Sequence, residues 1–148
     1  METDPTKLEV LEEEECRALL ADTQVGRVGV VVGGQPLVFP VNYVFDGNSV
    51  IVRTAVGTML SGASLGLVAF EIDGIDAASR GGWSVMVQGV GHEVSDALDL
   101  TSERLQGVEV LPWAPGAKPL LLRIDAKTIT GRRFGGEPVS SPHAGKGA

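Results

Sequence analysis

The spacing of apolar residues changes character near residue 25. Within residues 12–22, Cys16, Leu19 and Leu20 fall on one helical face behind the acidic run Glu12 to Glu15. That pattern predicts a single amphipathic helix whose negative charges sit at the end its dipole favours. From Val25 onward the apolar positions are β-branched and alternate with period two, broken by turn residues, as in antiparallel strands joined by hairpins. The first strand is expected over 25–32, a Gly33-Gly34 turn follows, then strands over 36–45 and 48–54 with Asp46-Gly47 between them. Residues 57–66 are less β-like and predict a short helix or helical turn. A fourth strand is expected over 67–73, a flexible stretch over 74–82, and a long fifth strand over 83–94 that bends at Gly89 and Gly91. Residues 101–106 predict a short helix capped by Thr101 or Ser102, followed by a Pro-rich loop around Pro112, Trp113 and Pro115. A sixth strand is expected over 118–124. The Gly-, Pro- and Ser-rich residues 135–148 predict a flexible tail.

Six strands and a few short helices make a mostly β domain, which a barrel would relieve of exposed edges. With 148 residues, 43% of them hydrophobic, the chain suits one domain, expected over 1–134. The apolar runs are too short to span a bilayer, and the acidic start does not read as a secretory signal, so a cytoplasmic protein without membrane contact is expected. A single cysteine excludes a disulfide framework, and Cys16 reads as a small buried apolar residue. His92 and His143, the only histidines, are too far apart in character for a metal pair, and no metal is expected. The formal charge of −7, with scattered basic residues, argues against general nucleic-acid binding but leaves room for a local phosphate pocket.

No P-loop, nucleophile elbow or catalytic triad is legible, and no catalytic residue is assigned. The informative residues are polar ones inside apolar strands: Asn42-Tyr43, Arg53-Thr54, and Thr58 at the following turn. A meander sets the second and third strands side by side, so Asn42 and Arg53 can flank one pocket, with hydroxyls and amides near Thr58 for an anion. The same residues also read as a bulge residue, an exposed strand residue and a helix cap. Arg132 and Arg133 read equally as surface charge or as a dimer salt bridge.

Several segments occur in a particular order: Val25-Gly26-Arg27-Val28, Pro40-Val41-Asn42-Tyr43, Val52-Arg53-Thr54 with Gly57-Thr58-Met59-Leu60, Phe70-Glu71-Ile72-Asp73, Gly82-Trp83-Ser84-Val85 with Gly89, and Ile129-Thr130-Gly131-Arg132-Arg133. Over residues 8–134 the chain thereby resembles the pyridoxamine 5'-phosphate oxidase-like, flavin-binding split-barrel family. The resemblance implies a six-stranded antiparallel split β-barrel and a homodimer whose two cofactor sites lie across the interface. It implies FMN as cofactor, with the deazaflavin F420 as the alternative. Val41 and Asn42 would face the flavin ring, and Arg53, Thr54 and Thr58 would surround the phosphate. Trp83 and Ser84 would come from the opposite subunit, and Trp113 would help wall the site. Met59 stands where many relatives carry Lys, which removes a cation from the phosphate turn. The implied function is a flavin-dependent oxidoreductase of unassigned substrate, or else a non-catalytic carrier of a flavin or tetrapyrrole. The substrate contacts of the true oxidases are not found, and that activity is not expected.

Overall fold

The computed structural model describes residues 8–54, 66–94 and 120–135. Its elements are β1 (Leu8–Val10), α1 (Glu13–Asp22), β2 (Val25–Val32), β3 (Gln35–Phe45), β4 (Ser49–Thr54), β5 (Leu67–Asp76), β6 (Gly81–Val94) and β7 (Leu120–Phe134). The short helices expected after the third and fifth strands, the Pro-rich loop and the tail lie outside the described residues.

The strands follow the order β7-β4-β3-β2-β5-β6, and β6 pairs back onto β7, so six antiparallel strands close a ring. This is the expected split barrel. Two of its seams are narrow: β2 meets β5 only from Arg27↔Glu71 to Gly29↔Ala69, and β3 meets β4 only from Tyr43↔Val52 to Phe45↔Val50. Gly33 and Gly34, at φ 58° and 80°, form the two-residue turn that joins β2 to β3, a conformation whose twist matches that of the flanking strands. At the β3–β4 turn the Asp46 carboxylate accepts from the amides of Asn48 and Ser49 at 2.8 and 2.7 Å.

Inward positions fill the barrel with Val28, Val30, Val50, Val52, Phe70, Ile72, Val85, Val87, Leu122 and Ile124. Helix α1 closes one end: Cys16 and Leu20 are fully buried, and the Tyr43 hydroxyl donates to the Leu20 carbonyl at 2.6 Å. Burial, with the charges of Glu15 and Glu13, pushes the Cys16 thiol up from its ordinary value. A thiol reagent should therefore modify Cys16 at the rate of unfolding, as mass spectrometry across a denaturant series would show; rapid native-state labelling would contradict this packing.

Three segments differ from the sequence expectation. Residues 74–82 are not a loose link, because β5 continues to Asp76, turns, and pairs with β6 as Gly74↔Trp83, Ile75↔Gly82 and Asp76↔Gly81. The glycine at position 74 serves close packing, since a Cβ there would run into the Trp83 indole. The last strand is 15 residues long and extends well beyond 124, because its first half lies between β4 and β6 and its second half between β6 and β1. The three-residue strand β1, exposed throughout, owes its conformation to pairing with that second half, Leu8↔Phe134 to Val10↔Arg132. The bend expected in β6 is present as a register shift at Gln88/Gly89, where a Cβ on Gly89 would collide with the Asp125 carbonyl. Among the described residues no helix is long and apolar enough to cross a membrane.

Candidate functional site

Alternation along a strand decides which side chains leave the core. Tyr43 and Val52 are paired inward residues, so the next positions on the two strands, Asn42 and Arg53, stand side by side facing outward at the end of that ladder. The structure thus brings together the two polar residues that the meander predicted as neighbours. Both are half-buried. Val41 turns its side chain toward the core, and the β3–β4 ladder begins only at Tyr43, so what Val41 offers this face is main chain. Thr54 ends β4 opposite Leu120. Thr58, Met59 and Trp113 lie outside the described residues.

Trp83 and Ser84 are not beside Asn42 within the chain. Strands β2 and β5 intervene, with Asn42 opposite Val25 and Ser84 opposite Asp73. Ser84 faces outward, whereas the Trp83 ring lies inward against Gly74, in a cleft of about 350 Å³ that also takes in Asp76, Arg133 and Phe134. Arg133 forms an ion pair with Glu15 of α1 at 2.6 Å, which makes it a tie between helix and barrel within one chain. Arg132 is exposed on the opposite face of β7.

A second polar group lies on the outer face next to Arg53 and was not legible as a unit. Asp125 on β7 is its hub: the Ser49 hydroxyl donates to Oδ1 at 2.8 Å, His92 Nε2 lies 2.9 Å from Oδ2, and Arg123 Nε lies 3.0 Å from Oδ1. The register sets Arg123 opposite Ile51 on one side and opposite His92 on the other. Arg123 Nε is buried, and despite that short distance its N–H is not aimed at the carboxylate, so it has no hydrogen-bond partner among the described residues. The alternation Leu122, Arg123, Ile124, Asp125 carried the signal for two outward polar residues. Their meeting with His92 and Ser49 depends on strand order.

On the far side of the barrel, Arg27 of β2 pairs with Glu71 at 3.0 Å and Asp73 at 3.5 Å, both on β5. Burial, then hydrogen bonding and charge from Asp73, raise the Glu71 pKa, and Arg27 opposes that shift only in part. The folded chain therefore holds the Glu71 proton more tightly than the unfolded chain does. This contribution to stability is present below the usual glutamate range and is lost as pH rises through the raised value. Carboxyl-carbon NMR should show Glu71 titrating above an ordinary glutamate, and Glu71→Gln should flatten that part of the stability profile. A Glu71 midpoint at or below the ordinary value would contradict the assignment.

Among the described residues, a six-stranded antiparallel barrel closed by one helix, with an outward amide and guanidinium at the β3–β4 seam, defines a split-barrel protein. The family model described as pyridoxamine 5'-phosphate oxidase matches residues 12–133, and the chain belongs to that family. An uncharacterized protein of Mycobacterium tuberculosis is 34% identical over 130 residues, covering 84% of each chain. The FAD binding protein of Mycobacterium smegmatis is 37% identical, with a TM-score of 0.70 over 84% of this chain and 96% of that one. A FAD-binding protein of Mesorhizobium loti is 25% identical, with a TM-score of 0.67 over 85% of this chain and 97% of that one.

Proposed function

We propose that the chain binds a flavin on the outer face marked by Asn42 and Arg53 and serves as a flavin-dependent oxidoreductase of unassigned substrate. The observation that carries this reading is the adjacency of Asn42 and Arg53 on one face, in a chain 37% identical to a FAD binding protein. The residue types fit the group. A flavin needs amide and main-chain partners along its ring edge and a cation for its phosphate, and Asn42, the Val41 main chain and Arg53 are of those types. When bound, the flavin supplies hydride or single-electron transfer. The protein's part is then to orient the ring through Asn42 and the Val41 main chain and to neutralise the phosphate through Arg53.

The resemblance pointed to FMN, with F420 as the alternative; similarity to two FAD-binding proteins favours the dinucleotide form, FAD. The reading includes a homodimer, with Trp83 and Ser84 contributed to the partner's site. Large apolar side chains exposed on the barrel's outer surface, Val31, Val38 and Leu67, at 63%, 67% and 77%, support an interface there. Freshly purified protein should carry a yellow chromophore whose released mass distinguishes FMN, FAD and F420. Colourless protein that binds none of the three in a titration would overturn the reading.

A further inference from the structure

We infer that the outer-face cavity over Ser84, with Arg132 at its rim, binds a small apolar monoanion, a carboxylate or sulfonate on an apolar body, and that this is the class of the unassigned substrate. Binding there stands on the cavity itself; the substrate role rests on the flavin reading, in which Ser84 also reaches the partner's flavin. Strand pairing lays out the floor. One row across the sheet runs Glu71, Met86 and Thr130, on β5, β6 and β7, and the next runs Asp73, Ser84, Arg132 and Val10, on β5, β6, β7 and β1. These side chains point away from the core, since the alternate residues Ile72, Val85, Val87 and Ile129 are buried. Ser84 is the smallest side chain in its row, so longer neighbours stand around it and enclose a cavity of about 300 Å³.

The chemistry of the walls defines the ligand. Val10 and Leu8, 82% and 55% exposed, give an apolar side with Met86 for the ligand's body, and the Ser84 and Thr130 hydroxyls can donate to an anion beside Arg132. Arg17, Arg27, Arg123 and Arg133 each face a carboxylate already, whereas Arg132 has neither a hydrogen bond nor an ion pair among the described residues. That guanidinium is the cation left to meet the anion. Across the cavity, the Glu71 carboxylate is drawn to Arg27 at 3.0 Å on its far side, which leaves the Arg132 side to the ligand. Other hollows lack this combination. The groove at Val31, Val38 and Leu67 is lined by no charged residue, and in the Trp83 cleft Arg133 is engaged by Glu15.

Fluorescence titrations of the full-length protein with anilinonaphthalene sulfonate and its uncharged parent, phenylnaphthylamine, test the cavity. Arg132→Gln should weaken the sulfonate about tenfold or more while shifting the uncharged probe by less than about threefold, and Arg132→Lys should recover part of the loss. Ser84→Phe, which fills the cavity from a position outside the core, should abolish binding of both probes, with thermal melts confirming that each variant is folded. Equal losses for both probes in Arg132→Gln, or no loss for the sulfonate, would overturn the inference. So would a flavin that displaces the sulfonate, an outcome that assigns the cavity to the flavin itself and leaves the flavin reading standing. A protein that binds the sulfonate as expected and no flavin would overturn the flavin reading, and with it the substrate role, and leave the binding site.

Discussion

Replacing Arg53 with alanine should weaken flavin binding by roughly tenfold to more than a hundredfold. A charge-assisted hydrogen bond is worth about 1.5–3 kcal/mol, and each 1.4 kcal/mol is about a factor of ten in affinity. The effect is expected at the upper end of that range, because Met59 occupies the sequence position where the family resemblance implies a lysine to share the phosphate. Asn42→Ala, which removes only a neutral partner of the ring edge, should cost less. Titration of both variants, with thermal melts to confirm folding, checks the ranking. An Arg53→Ala protein with wild-type affinity would place the phosphate elsewhere.

Phe70→Ala should cost about 3–5 kcal/mol of stability, lowering the melting temperature by roughly 6–20 °C. Domains of this kind are stable by only about 5–15 kcal/mol, so the variant approaches the unfolding threshold. Phe70 is fully buried on β5, and its ring meets Tyr43 edge-on with centroids 4.7 Å apart. That ring also occupies the space above Gly26 of β2, where any Cβ would collide with it. Gly26→Ala should therefore destabilise the wild type strongly. In a Phe70→Leu background the penalty should shrink, though not vanish, because the Glu71 carbonyl also crowds that position. A double-mutant cycle in denaturant should show coupling of about 0.5–3 kcal/mol. Strict additivity would mean that ring and glycine do not share the space.

The limits of sequence reading fall at identifiable residues. Period-two alternation with Gly-Gly and Asp-Gly turns placed β2, β3 and β4 within a residue at each end. It failed at 74–82, where three glycines read as flexibility although Gly74, Gly81 and Gly82 all sit in paired strands. It also stopped the last strand at Ile124, because the polar residues beyond it, Lys127, Thr128, Arg132 and Arg133, resemble a strand's end when the partner strands are not in view. Strand β1 has no signal of its own. Of the site, Asn42 and Arg53 were legible as neighbours because a hairpin links them. Arg123 and Asp125 were not, since they reach β4 across more than seventy residues of chain.

By itself, then, the sequence determined the strand-forming segments, their inward and outward faces, the capping helix with its buried Cys16, and the juxtaposition of Asn42 with Arg53. All of these follow from local periodicity and turn chemistry, which act over a few residues. Only the tertiary structure decided that β7 lies between β4 and β6, and so that Arg123, Asp125, His92 and Ser49 share one outer face beside Arg53. Pairing between distant strands is settled by closure of the whole ring around one core, a condition that no local pattern contains.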